Sequence, residues 1–229
     1  GLREEFPPVI RDVFPYRLFW NVLSGESDAY ITILAHESFH SHQAIVNPLS
    51  FAEAEEVMQI ENNYPWDETA QVDAWQKELD ILVDAAKADS NQEAVELARQ
   101  FLAQREARRT QSGLSHELVD FERWREWLEG LAKYAELSIG QMAGITPGYE
   151  SLPEMKDDPQ FNDYSNRDRF WSQQLDQVRR ILSSKGEVRF YYSGFAQAVL
   201  LDRLMPGWKE RAISEGMWIE ELLQEAVSK

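Results

Sequence analysis

Residues 33–43 read ILAHESFHSHQ, and within them His36-Glu37-Ser38-Phe39-His40 sets two imidazoles four positions apart with a carboxylate beside the first. On a helix, residues four apart lie one above the other, so His36 and His40 can offer two nitrogens to one ion from a rigid support. Glu37 stands one step round the cylinder, near enough to reach a water on that ion without occupying the ion itself. The chemistry this spacing suits is hydrolysis: a divalent ion polarises a water and a carbonyl, and a carboxylate passes the water's proton to the leaving group. The bland reading is a polar helix face with two solvated histidines. A catalytic metal site also needs a third protein ligand and an open position. In one large class that ligand is a His six residues past the second. Here that position holds Val46, so this solution is excluded. A distant Glu is the other common solution.

The elements that must position these groups are helical. Ser27 or Asp28 can cap a helix through AYITILAHESFHSHQAIV, which Asn47-Pro48 should stop. A second helix is expected over FAEAEEVMQIE, followed by the turn NNYPWD. Residues 68–88 and 91–111 repeat apolar positions three and four apart and read as two antiparallel helices joined at Ala88-Asp89-Ser90-Asn91. One long helix should run from Ser115, a capping residue, to near Gly140. Turn formers fill ITPGYESLPEMKDDPQFNDYSN, and the final third is helical again, with Arg189-Phe190-Tyr191-Tyr192 β-prone enough to begin as a strand. The Pro- and aromatic-rich opening FPPVIRDVFPYRLFWNVLSG could hold a short strand or a packing arm. The expectation is a mainly α chain forming a single domain over residues 1–229.

Bulk properties remove several function classes. The 229 residues, 43% apolar with eight Trp and eleven Phe, suffice for a real core. Forty acids against twenty-three bases give a net charge of −17, a surface that repels nucleic-acid phosphates and anionic lipid. The absence of cysteine excludes disulfides and thiolate metal sites. No apolar run approaches the roughly 20 residues that cross a bilayer. The chain begins GLREEF without an initiator Met, so a leader, an anchor or an upstream domain is expected to have been removed; the chain itself reads as a soluble domain of unassigned compartment.

A second segment, Trp127-Leu128-Glu129-Gly130-Leu131-Ala132-Lys133-Tyr134-Ala135-Glu136, comes after the first motif in the chain. Together they resemble the gluzincin zinc metallopeptidases, the peptidase-MA-like and zinc aminopeptidase-like families, which carry W-L-x-E-G-x-A-x-Y-x-E after H-E-x-x-H. The likeness covers residues 28–46, 116–140 and 188–227 in patches. It implies a thermolysin-like helical catalytic domain, one Zn2+ per chain on His36, His40 and Glu129, and Glu37 as general base. It also implies a peptide or protein substrate. Tyr191-Tyr192-Ser193-Gly194 matches the family's Y-x-x-G, which places Tyr191 as the donor to the oxyanion, with Tyr192 as the neighbouring alternative.

Three departures stand beside this likeness. One residue is missing between Leu128 and Glu129. Eighty-eight residues separate His40 from Glu129, which the helical pair at 68–111 would explain as an inserted hairpin. The G-x-M-E-N stretch that grips a free amino end is absent, so the resemblance implies peptide hydrolysis without assigning an end. The strand on which gluzincins lay their substrate would have to come from residues 9–24, another chain or a further region.

Among the acids near Glu129, Glu122, Glu126 and Glu136 are competing ligands; Glu122, Glu129 and Glu136 are seven apart and should share a face, which would put one of them behind the ligands. His42 and His116 are weaker candidates, and Tyr64 is a remote one for substrate contact. Two other function classes remain open. One is a non-catalytic module that binds metal on a peptidase-like fold, and the other is a helical interaction protein without metal.

Overall fold

The structure, a computed structural model, describes residues 27–66, 69–181 and 186–228. The expected N-terminal strand or arm, and the proposed substrate strand at 9–24, lie outside the described residues. The described chain is mainly α. In order it forms α1 (Ser27–Val46), α2 (Pro48–Glu56), a 3-10 stretch (Val57–Asn63), α3 (Thr69–Lys87), α4 (Asn91–Gln111), α5 (His116–Arg125), a π turn (Glu126–Gly130) and α6 (Leu131–Ile145). Next come α7 (Pro153–Lys156), α8 (Arg167–Arg180), α9 (Val188–Leu204), α10 (Trp208–Ile213) and α11 (Ile219–Ser228), with no strand among the described residues.

Local chemistry explains the boundaries. Asn47 closes α1 and opens α2: its backbone N–H reaches Gln43 O, its side chain accepts the Ser50 N–H at 3.1 Å, and Pro48 takes the first helical position, where a missing N–H costs nothing. Ser90 and Ser115 cap α4 and α5 by accepting the N–H of Glu93 and Leu118. The turn-rich loop after α6 also holds the short α7. Arg189-Phe190-Tyr191-Tyr192 is helical, not the start of a strand as its composition suggests. Tertiary packing overrides the local preference: α9 buries Phe190 and Phe195 in the core and brings Gly194 against the π turn.

Among the described glycines, that contact is the closest of backbone on backbone. A Cβ on Gly194 would stand 2.7 Å from both Gly130 Cα and Glu126 O, and a Cβ on Gly130 would stand 2.5 Å from Gly194 Cα. Only two glycines let these helices cross backbone on backbone. The helix from α5 to α6 is continuous but carries one π turn at this crossing.

The hairpin of α3 and α4 shares the core. Trp75, Leu79, Leu82, Val83 and Phe101 are fully buried with Phe121, Trp127, Phe190 and Phe195. It also carries an unusual charged layer. Arg105 forks onto Glu126 at 2.6 and 2.8 Å and reaches Glu78 at 2.7 Å and Glu220 at 3.0 Å. Arg108 joins Glu78 and Glu122 at 2.6 Å each and lies over the Trp75 ring. Arg109 joins Glu122 at 2.7 Å and forks onto Glu220. All seven of these side chains are at most 4% exposed.

Candidate metal centre

Helix α1 packs along α6 and carries His36 and His40 towards the π turn. The N–H at His36 Nδ1 donates to Glu136 Oε2 at 2.9 Å, and the N–H at His40 Nδ1 donates to Gln43 Oε1 at 3.0 Å. The Gln43 amide can only point this way, because its Nε2 donates to the carbonyls of Trp127 and Leu128 at 3.0 and 3.3 Å, within the widened turn. With both Nδ1 atoms protonated, each neutral ring presents a bare lone pair at Nε2. These two lone pairs face each other at 3.1 Å. Glu129 Oε2 completes the triangle, 3.2 Å from His36 Nε2 and 3.4 Å from His40 Nε2.

Three lone-pair donors converging at 3.1–3.4 Å repel one another unless a metal cation or an added proton lies between them. An ion about 2 Å from each would fit edges of this length, which is the bond length nitrogen and carboxylate oxygen make to zinc. The donor set, two imidazoles and one carboxylate, leaves a further position open, and the His40 side chain keeps 19% of its surface exposed. The residues therefore fit a divalent ion. The same deficit shows in the protonation of the groups. Burial disfavours charge on His36, but hydrogen bonds to Glu129 and Glu136 outweigh it and raise His36 to about 9. Burial likewise works against the Glu129 carboxylate, but His36, His40 and Arg125 hold it well below the usual range. A site that draws a proton in this way is short of positive charge.

Glu37 sits exposed on α1, one step from His36. The Tyr191 ring stacks on His36, centroids 5.8 Å apart and planes within 6°. Burial first, then the charges of Glu129 and Glu187, raise the Tyr191 phenol well above its ordinary value, so it keeps its proton. Tyr192 faces elsewhere: its hydroxyl meets Gln174 Oε1 at 3.1 Å, and Lys133 lies over its ring.

Several expectations are corrected. Glu122, Glu129 and Glu136 do not share a face. The π turn holds an extra residue and rotates the remainder of the helix, so Glu122 and Glu126 enter the arginine layer while Glu129 and Glu136 meet His36. Tyr64 is buried and donates its hydroxyl to Glu122, so it cannot touch a substrate. His42 and His116 are exposed and outside the cluster.

Neither a family model, nor a curated protein, nor a solved structure matches this chain. The resemblance to gluzincins is therefore carried by the sequence patches 28–46, 116–140 and 188–227 alone.

Sequence reasoning missed three residues of the site. Gln43, three past His40, holds that ring. Arg125, four before Glu129, donates to Glu129 Oε1 at 2.8 Å. Glu187, four before Tyr191, pairs with Arg125. Each stands one helical turn from a motif residue, a spacing that could have flagged all three.

Proposed function

We propose that the chain is a metal-dependent peptidase of gluzincin type, with one zinc held by His36, His40 and Glu129. The observation that carries this reading is the convergence of His36 Nε2, His40 Nε2 and Glu129 Oε2 at 3.1–3.4 Å, each with its lone pair turned inward. Zinc bound there would polarise a water and the scissile carbonyl. The remaining steps fall to side chains. Glu37, exposed beside the cluster, takes the proton of the attacking water and hands it to the leaving amine. Tyr191, held protonated against His36, donates a hydrogen bond to the oxygen on which charge develops. Gln43 and Glu136 fix the tautomers that keep both Nε2 atoms free for the metal.

The test is metal analysis of the purified chain joined to hydrolysis of a broad peptide library with and without chelator. One zinc per chain and chelator-sensitive cleavage are expected. Glu37→Gln should retain the zinc and lower turnover by roughly 10²–10⁴-fold, the usual worth of a positioned base. Wild-type turnover in that variant would refute the mechanism. Zinc without cleavage of any peptide would leave the non-catalytic module instead.

A further inference from the structure

Arg125 is 3% exposed, on the last turn of α5, and it does not join the arginine layer around Glu122 and Glu126. Its Nη2 instead lies between two carboxylates, donating to Glu129 Oε1 at 2.8 Å and pairing with Glu187. Its buried Nε–H has no acceptor among the described residues. A buried donor left unsatisfied is a cost, and the fold bears it to keep the other end of the guanidinium at this point. The two oxygens of Glu129 are thereby made unequal. Oε1 is occupied by a charge-assisted hydrogen bond, whereas Oε2 is the oxygen turned towards the two imidazole Nε2 atoms.

We propose that Arg125 is a positioning residue that restricts Glu129 to one oxygen on the metal and so keeps the remaining position open. This rests on the assignment of His36, His40 and Glu129 as a metal centre. A carboxylate without such a partner can turn and bind through both oxygens, filling the place a water or carbonyl needs. Glu187, one turn before Tyr191 at the α9 entry, meets the same Nη2 and links the ligand's orientation to the helix that carries the tyrosine.

The test uses the full chain loaded with zinc or cobalt. X-ray absorption on the zinc-loaded wild type should show a single carboxylate oxygen at bonding distance, and the cobalt-loaded wild type should show the intense visible bands of a four-coordinate ion. Arg125→Met should weaken those bands several-fold as Glu129 takes a second bond, and Arg125→Lys should restore them in part. Because Arg125→Met leaves Glu187 without its cation, the double variant Arg125→Met with Glu187→Gln serves if the single one does not fold. Two carboxylate oxygens on zinc in the wild type, or unchanged cobalt bands in the folded variant, would overturn the proposal. A wild type that binds neither metal would instead overturn the metal centre itself.

Discussion

Glu122 and Glu126 stand on the same helical rod as Glu129 and Glu136, yet the two halves of that rod do opposite things with buried carboxylates. In the first half both oxygens of each acid accept hydrogen bonds from arginines, and Tyr64 and Ser193 add hydroxyl donors. In the second half Glu129 has one oxygen satisfied by Arg125, while the other faces two lone pairs. The first arrangement has its positive charge built in and has no room for a ligand. The second is the arrangement for which we propose a bound cation. What separates them is one π turn, held where Gly130 and Gly194 let two backbones touch.

The largest expected effect breaks the comparison directly. Removing one partner of a buried ion pair costs about 3–5 kcal/mol because it strands the other charge. Glu122→Ala leaves two buried arginines, Arg108 and Arg109, to share only Glu78 and Glu220 and takes the acceptor of the buried Tyr64 hydroxyl, so chemical denaturation should show a loss of that order with or without zinc. Glu129→Ala leaves Arg125 its contact with Glu187, so in chelator it should cost only about 1 kcal/mol. With zinc at 1,000 times its dissociation constant, the wild type gains about 4 kcal/mol that the Glu129 variant cannot. Equal losses for Glu129→Ala in zinc and in chelator would make its site a second structural ion-pair cluster.

Acid should test the charged layer next. Burial pushes the Glu220 carboxyl up, but Arg109 and Arg105 outweigh it and lower it from 4.5 to about 2; Glu122 is lowered further by Arg108 and Arg109. A carboxyl depressed by folding contributes stability above its unfolded value, and that contribution is lost as pH falls towards its folded value. For Glu220 this amounts to about 3 kcal/mol, lost between roughly pH 4.5 and 2. Stability measured in chelator, so that metal release does not enter, should fall steeply across that window. Glu220→Gln should lower the slope by about 1.4 kcal/mol per pH unit, one proton's worth. An unchanged slope would mean that this acid is not ionised in the core.

The contrast also marks what the sequence discloses. The helical periods at 68–111, the stop at Asn47-Pro48 and the cap at Ser115 are local signals, and the structure obeys them. Two imidazoles four apart are equally local. The π turn has no composition of its own. It exists at a crossing with Gly194, more than sixty residues away, and with it goes the facing of every acid after Glu126. Nothing local marks Arg105, Arg108 and Arg109, since only the folded partners show that they are buried. Fold class and the α1 half of the site are therefore legible, whereas the division of labour among the glutamates is not.

The smallest effect sharpens the comparison within the second region. Glu136 contacts no lone pair of the triangle; it accepts the His36 Nδ1 proton and pairs with Lys133. Its role is to hold one tautomer and one ring angle, and losing such support costs about 10–100-fold in metal affinity. Glu136→Gln keeps an oxygen that can accept the same proton but removes its charge, so the loss should lie near the lower end, about tenfold, or 1.4 kcal/mol. Competition with a chelating dye would read it directly, with Lys133→Met as the control that perturbs the Glu136 pair but leaves the Nδ1 contact. A loss in Glu136→Gln as large as in His40→Ala would place this carboxylate on the metal, and the boundary between ligand and support along the helix would move one turn beyond Glu129.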